Sequence, residues 1–275
     1  MTVKPLLVQY PNRFQETLGI VQAIEKLHAQ SFALEEVAVL FAQHRQVNSL
    51  VNLLEKKGIP YNVKQRVNIL ELPLIRNTRL LLEYIAAEYK QPYSGEHLLF
   101  QLLHADFLQF DPRDIATIAQ YHAKSERENR PFWRNTIERI EELYPQFSYP
   151  LYKLPVIQQF ANFINLLIAD YRNLSVVMLF ERVVNRSGLL KFILAHEEKA
   201  WHTQILSTFF NFIQEEAYRN PKLNLQDLLK TFKNMEDNRL RLEINKTIVA
   251  AQGVNLLTAH SAKGLEFEKV FYSTV

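Results

Sequence analysis

A short polar segment near the end of the chain contains the side chains best suited to chemistry. Between Thr258 and Gly264, the sequence Thr-Ala-His-Ser-Ala-Lys-Gly places hydroxyl, imidazole and ammonium groups close together, and Glu266 follows. Such groups, with free backbone N–H groups in a turn, are suited to contacting phosphate. The residue types therefore predict a phosphate-contacting turn, although many strand ends carry turns of similar composition.

Two short apolar runs flank this turn and are predicted to be the strands that position it. They lie at 254–257, with Asn255 as a polar interruption, and at 270–272. Further strands are predicted at 6–8, 36–41 and 59–63, with helices at 13–28 and 47–57 between them. Gly58 and Pro60 follow the second helix, where a helix commonly ends. The alternation of strand and helix predicts a parallel α/β arrangement.

From Pro73 onwards the pattern is helical for most of the chain. Pro73 suits a first helical turn, and further helices are predicted at 95–108, 112–123, 132–143, 155–172, 175–184, 188–218 and 225–233, with a break inside 188–218 as an alternative. Phe209 and its aromatic neighbours have helical spacing, which favours core packing. His196 and His202 are six residues apart, so we expect them on different helix faces. A zinc protease helix would need the i, i+4 spacing.

Composition bounds the class of protein. The 275 residues are 48% hydrophobic, enough for one large or two small cores. The chain has no cysteine, which excludes disulfides and thiolate metal sites. A net charge of +3 is compatible with a nucleic-acid partner without requiring one. The uncharged stretch that comes nearest to a membrane-spanning pattern, 155–169, is too short to span a bilayer. We therefore expect no membrane partner and a cytoplasmic location.

The string at 258–267, Thr-Ala-His-Ser-Ala-Lys-Gly-Leu-Glu-Phe, resembles motif V of superfamily 1 helicases of the UvrD/Rep/PcrA type. The form in that family is roughly T-x-H-x-A-K-G-L-E-F followed by an apolar strand, and every fixed position is matched. Val-Ala-Val-Leu-Phe at 37–41 and Gly-Ile-Pro-Tyr at 58–61 are similar to stretches that open the second RecA-like domain of these helicases. AddA/RecB-type helicases share the same motifs.

The resemblance has two departures. The Arg and Asn that follow the first stretch in the family, and that are associated with single-stranded DNA, align with Ala42 and His44, while Arg45 comes one residue later. The Gly-Gly that follows the second stretch is replaced by Lys-Gln-Arg at 64–66. We interpret 64–66 as a solvated loop, with phosphate contact as the alternative.

The resemblance implies a fold that is α/β plus all-α. A partial RecA-like (P-loop NTPase-type) parallel sheet would be interrupted by a large helical insertion. Residues 1–76 and 251–275 would form a discontinuous partial RecA-like domain, called 2A. Residues 77–250 would form the helical insertion, called 2B.

The resemblance also implies the roles of individual residues. Single-stranded DNA would be contacted by Thr258, His260, Ser261 and Lys263, with His44 and Arg45 as further candidates. Gly264 and Glu266 would lie on the nucleotide side and couple the nucleotide state to the DNA-facing turn. ATP and magnesium would be cofactors of the full-length protein.

Several elements of the motor are absent from this sequence. It contains no Gly-x-x-x-x-Gly-Lys-Ser/Thr phosphate loop, no Asp-Glu pair in an apolar strand and no arginine-bearing motif VI. We therefore expect a piece of an ATP-dependent DNA helicase, of 3′–5′ polarity and active in repair or recombination, whose N-terminal motor domain lies outside this chain. The chain itself is expected to contain no catalytic residue, to bind no cofactor and not to hydrolyse ATP. Its oligomeric state is not predicted.

Two other hypotheses stay open at this point. The chain could be a non-motor binding module, in which the helical insertion recruits a protein or duplex DNA, and the changes at Ala42 and His44 favour this. It could also be an unrelated helical scaffold with a chance motif. A structure without a parallel sheet joining 37–41 to 254–257 would exclude the helicase resemblance.

Overall fold

A computed structural model of the chain describes residues 5–42, 44–125, 131–248 and 250–273. The chain forms two compact units. One combines Met1–Val67 with Glu243–Val275 and contains the sheet, and the other is Asn68–Leu242 and is helical. We call them the sheet unit and the helical unit.

In its described residues, the sheet unit contains two α-helices and five strands. These are α1 (Arg13–Ala29), β1 (Val37–Phe41), α2 (His44–Lys56), β2 (Tyr61–Asn68), β3 (Glu243–Ile248), β4 (Val254–Thr258) and β5 (Lys269–Ser273). The described strands form one sheet in the order β3-β2-β4-β1-β5. Pairing is parallel between β1 and β4, β1 and β5, and β2 and β4. The parallel sheet that joins 37–41 to 254–257 is therefore present.

The core of the sheet unit lies on one face of this sheet. Val37, Val39 and Phe41 alternate along β1, and their side chains are buried with Val254 and Leu256 of β4. The apolar faces of α1 and α2 pack into the same cluster, through Ile20, Val21, Ile24, Val47, Leu50 and Leu54. The period of two along the strands and of 3.6 along the helices brings these residues together.

Three details of the sheet unit differ from the sequence-based predictions. Residues 6–8 do not form a strand; Leu6 and Leu7 are 88% and 95% exposed and pair with no strand in the described residues. Strand β2 extends to Asn68, so that 64–66 lie in a strand and not in a loop. Strand β3 was not predicted. The two compact units divide at 67/68 and 242/243, and the domain bounds 1–76, 77–250 and 251–275 stay a prediction.

The helical unit contains ten helices in the described ranges. They are α3 (Pro73–Lys90), α4 (Glu96–Leu102), α5 (Pro112–Lys124), α6 (Trp133–Glu138), α7 (Ile140–Leu143), α8 (Leu154–Asp170), α9 (Val176–Arg186), α10 (Leu189–Ala195), α11 (Lys199–Arg219) and α12 (Leu225–Asp237). Two predicted helices are broken, because extended backbone at Ala105 and a non-helical Arg139 interrupt the hydrogen-bond ladder. The break left open within 188–218 occurs at His196, where the backbone is extended. The aromatic residues do pack as predicted: Phe209 is fully buried and its ring contacts those of Phe180 and Phe232.

Buried carboxylates in the helical unit are satisfied by backbone donors. Glu88 accepts N–H bonds from Tyr93 and Gly95, both at 2.9 Å, and an ion pair from Arg134 at 2.6 Å. Asp114 accepts N–H bonds from Tyr152 and Lys153 at 2.7 and 2.8 Å. The ion pair of Glu88 with Arg134 and the bonds to Asp114 join segments that are distant in sequence. A buried charge needs such partners, because an unpaired charge in the interior costs stability.

Candidate nucleic-acid interface

The turn predicted to contact phosphate lies at one edge of the parallel sheet. Thr258, the last residue of β4, is opposite Phe41, the last residue of β1. Phe41 is in turn opposite Ser273 at the end of β5. The carboxyl ends of three strands therefore meet at this edge, which is where ligands bind in open α/β sheets.

Thr258 shapes the turn from within. Its Oγ1 accepts the N–H of Ser261 at 3.2 Å and lies 2.8 Å from the Ser261 hydroxyl. Its carbonyl oxygen accepts the N–H of Ala262 at 3.0 Å. These three contacts curl residues 258–262 back on the end of β4. A threonine or serine at this position forms such local bonds readily.

A second reversal follows at Gly264. Its φ of +85° lies in the left-handed region, which a side chain would disfavour, although a Cβ here would meet no atom within 4 Å. The Leu265 N–H donates to the Ala262 carbonyl at 3.0 Å. The glycine is therefore required by the direction of the chain and not by crowding. Glu266 lies beyond this reversal, on the way to β5.

Exposure separates the predicted contact residues into two groups. His260, Ser261, Lys263, Gly264 and Glu266 are exposed, whereas Thr258 is half-buried. The first group can reach a ligand from solvent. Thr258 uses its hydroxyl within the turn, so the structure gives it a positioning role that the sequence did not indicate.

The second predicted contact region follows β1. Ala42 comes directly after the strand, and the backbone of α2 begins at His44. The side chains of His44 and Arg45 lie outside the described residues, so their assignment to DNA stays a prediction.

Two asparagines hold β4 in place, and the sequence did not reveal them. Asn255 lies opposite Asn62 of β2, and the Asn62 amide donates to the Asn255 side-chain oxygen at 3.2 Å. The Asn255 amide donates to the Glu35 carbonyl at 2.7 Å, just before β1. Asn62 also accepts the Ala250 N–H at 2.6 Å and donates to the Gly253 carbonyl at 3.1 Å. This amide pair fixes β4 between its neighbours and hence fixes where the turn begins.

A comparison with known protein families identifies the family to which this chain belongs. The family model of the UvrD-like helicase C-terminal domain matches residues 2–275. The chain belongs to this family. No curated protein matches it.

No group of three or more His, Asp or Glu residues comes together in the described ranges in a way that could hold a metal ion.

The histidine pair of the helical unit differs from its prediction. The rings of His196 and His202 have centroids 4.2 Å apart, because His196 ends α10 and His202 lies in the first turns of α11. The expectation of different faces assumed one continuous helix and was wrong. Glu198 joins the two rings: its N–H donates to Nδ1 of His196, and its carbonyl oxygen contacts Nδ1 of His202, each at 3.1 Å.

None of the helices in the described ranges combines the length and apolar character that a membrane-spanning segment needs.

Proposed function

We propose that this chain is the DNA-facing part of an ATP-dependent DNA helicase, and that the segment 258–266 couples the nucleotide state to single-stranded DNA. The observation that carries the proposal is the turn at the carboxyl edge of the parallel sheet. There His260, Ser261 and Lys263 are exposed on a backbone shaped by Thr258 and Gly264. A cation, an imidazole and a hydroxyl on one turn suit the phosphates of a DNA strand.

The distribution of charge supports a DNA partner for the sheet unit. The net charge of +3 resides entirely in this unit, because the helical unit contains equal numbers of basic and acidic residues. Phosphate contacts dominate the affinity of proteins for nucleic acid, and a basic surface increases the local concentration of the strand.

In this proposal, the sheet unit corresponds to a partial RecA-like 2A domain and the helical unit to a 2B insertion. ATP and magnesium are held mainly by a motor domain that is not in this chain, and Glu266 contributes a carboxylate towards the nucleotide. Translocation with 3′–5′ polarity, a role in repair or recombination and a cytoplasmic location belong to the same proposal. They rest on family membership and on the match at 258–267.

Binding of a fluorescein-labelled oligo-dT by the chain tests the DNA-facing part of the proposal. The double variant His260→Ala/Lys263→Ala should weaken binding and reduce its dependence on salt. The matched control is His28→Ala/Lys26→Ala, because both residues are exposed on α1, on the helix-covered side of the sheet. Equal binding by the two variants would contradict the proposal.

Glu266 is tested in the full-length protein. Glu266→Gln should lower DNA-stimulated ATP turnover while leaving oligo-dT binding in the absence of nucleotide unchanged, because only the nucleotide side of the turn loses a charge. Glu268→Gln, another exposed carboxylate two residues later, is the control. ATP turnover equal to that of the control variant would remove Glu266 from the coupling role.

A non-motor binding module is the second candidate. The observation that favours it is Ala42, which gives the carboxyl end of β1 no polar side chain where the family has an arginine. In that case the full-length protein would bind a protein or duplex partner through the helical unit. It would show no strand separation, whereas ATP-dependent unwinding of a tailed duplex would exclude this candidate.

A further inference from the structure

Lys64 and Arg66 are exposed cations on β2, the strand next to β4 in the sheet. Tyr61 and Val63 of the same strand are buried in the core with α1 and α2. Because side chains alternate along a strand, Lys64 and Arg66 lie with Asn62 on the opposite face, away from both helices. The two residues are therefore part of a regular strand surface and not of a loop.

The register of the sheet brings these cations to the level of the turn. Val63 lies opposite Leu256, and both strands run in the same direction. Lys64 and Arg66 come one and three residues after Val63, while β4 ends at Thr258, two residues after Leu256. Lys64 therefore follows directly on the last residue of β2 that pairs with β4, close to the place where β4 ends, and Arg66 lies two residues further along β2.

The face that carries these two cations is exposed along its outer strands in the sheet unit. Val270 and Tyr272 of β5 are 52% and 58% exposed, and the two helices of the unit cover the other face. Towards the middle of the same face, Asn255 of β4 is half-buried and Ala38 of β1 is fully buried. A strand of nucleic acid could therefore follow β2, where the exposed cations lie.

One carboxylate competes for the cations. Glu243 of β3 lies 3.7 Å from Arg66, and the Arg66 side chain is 66% exposed. An exposed ion pair of this length contributes little to stability, so a phosphate can replace the carboxylate at small cost.

We infer that Lys64 and Arg66 bind phosphates of a single-stranded DNA and extend the contact surface of the turn along β2. Residues i and i+2 of a strand are about 6.6–6.8 Å apart, which lets the two side chains contact successive phosphates of one extended strand. The cations would supply charge on the sheet that Ala42 cannot supply at the end of β1. The inference rests on the proposed function, because it takes single-stranded DNA as the ligand.

The experiment measures the affinity of the whole chain for fluorescein-labelled oligo-dT as a function of salt. Five proteins are compared: wild type, Lys64→Ala/Arg66→Ala, Lys64→Arg/Arg66→Lys, His260→Ala/Lys263→Ala, and the control Lys26→Ala/Lys56→Ala. The control removes the same charge from exposed positions on α1 and α2, on the far side of the sheet. Circular dichroism of each variant checks that the fold is retained.

Each phosphate contact on a single strand contributes about 0.7 to the slope of log affinity against log salt. We therefore expect Lys64→Ala/Arg66→Ala to lower this slope by about 1.4 relative to wild type, and the control to leave it nearly unchanged. Lys64→Arg/Arg66→Lys keeps the charge and should restore the slope, which separates charge from strand stability.

The outcomes separate this inference from the proposed function. If the 260/263 variant loses affinity and the 64/66 variant behaves as the control does, the inference is wrong and the proposed function stands. If neither variant differs from the control, both are wrong. A loss seen with a blunt duplex but not with oligo-dT would also overturn the inference, since the cations would then serve duplex DNA.

Discussion

Thr258 is the residue on which the shape of the 258–264 turn depends. Replacing it by valine keeps the branched side chain and removes both hydroxyl contacts to Ser261. A hydrogen bond of this kind contributes about 0.5–1.5 kcal/mol. We expect Thr258→Val to raise the hydrogen-exchange rate of the Ser261 amide by up to about tenfold, as measured by NMR.

Thr258→Ser is the matched control for this prediction, because it retains the hydroxyl. It should restore most of the protection of the Ser261 amide. If the valine variant protects this amide as well as wild type does, Thr258 does not shape the turn and a direct role in ligand contact becomes the better explanation.

Asp111 offers a pH-dependent test in the helical unit. The side-chain hydrogen bond from Arg113, with that from the Arg113 backbone N–H, lowers the pKa of Asp111 to about 2. A lowered pKa means that the charged carboxylate stabilises the folded state. This contribution is complete above the unfolded pKa of about 3.9 and is lost as the pH falls through the folded value.

Asp111→Asn removes the titration while keeping a residue that caps helices well. We expect the difference in unfolding free energy between wild type and Asp111→Asn to shrink as the pH falls from about 4 towards 2. Urea unfolding followed by tryptophan fluorescence measures it, since Trp133 and Trp201 are both in the helical unit with Asp111. If the unfolding free energies of wild type and Asp111→Asn change in parallel with pH, this account is contradicted.

Single residues differ in how well the sequence reveals their role. The 258–267 string is specific, so His260 and Glu266 could be singled out without a structure. Asn255 could not, because a polar residue between apolar ones indicates only an interruption, and its partners Glu35 and Asn62 are distant in sequence. Lys64 and Arg66 were assigned to a loop, because the strand that contains them becomes polar after Val63.

Elements with a buried face were the predictable ones. Strand β1 and helix α1 agree closely with their predictions, because apolar residues recur at the period of each element. Strand β3 lies at the end of the sheet order and consists largely of polar residues, so it has little periodic signal. Residues 6–8 are an apolar run that was predicted to be a strand and does not form one. An apolar run becomes a strand only when a neighbouring strand accepts its hydrogen bonds.

Close approach between β2 and β4 depends on Gly253. A Cβ at this position would lie 2.9 Å from the backbone N, Cα and C of Tyr61, and backbone atoms of a paired strand cannot move aside easily. Gly253→Ala should therefore cost about 1–3 kcal/mol and weaken the β2–β4 pairing. Hydrogen exchange of peptides that cover 253–258, followed by mass spectrometry, should show faster exchange.

Gly58→Ala is the control for this prediction, because a Cβ at Gly58 would strain the backbone without contacting any other atom. Gly58 has a φ of +64° and open space around it, so alanine should cost only about 1–2 kcal/mol and leave exchange at 253–258 unchanged. Equal exchange at 253–258 in the two variants would show that β2 and β4 accommodate a Cβ at position 253 without strain.

The whole molecule divides its properties between the two units. The sheet unit carries the net charge and the 258–266 turn, whereas the helical unit is formally neutral and has an aromatic core. This division predicts that salt affects nucleic-acid binding mainly through the sheet unit. It also explains why composition of the whole chain gave only a weak indication of a nucleic-acid partner.

The ends of the helical unit meet at one point, which makes its independence testable. The Ile69 N–H donates to the Leu242 carbonyl at 2.9 Å, and the Leu242 N–H donates to the Asn68 side chain at 3.1 Å. A segment whose ends are this close can be excised without stretching its chain. We expect residues 68–242 to fold when expressed alone, with cooperative urea unfolding and the near-ultraviolet circular dichroism of packed aromatic rings.

Asn68→Ala in the excised segment should lower the unfolding free energy by about 1 kcal/mol or more, since the Leu242 N–H loses its acceptor. The exposed Asn173→Ala, away from the ends of the segment, is the control. Non-cooperative unfolding with no near-ultraviolet signal would mean that the helical unit depends on the sheet unit for its packing.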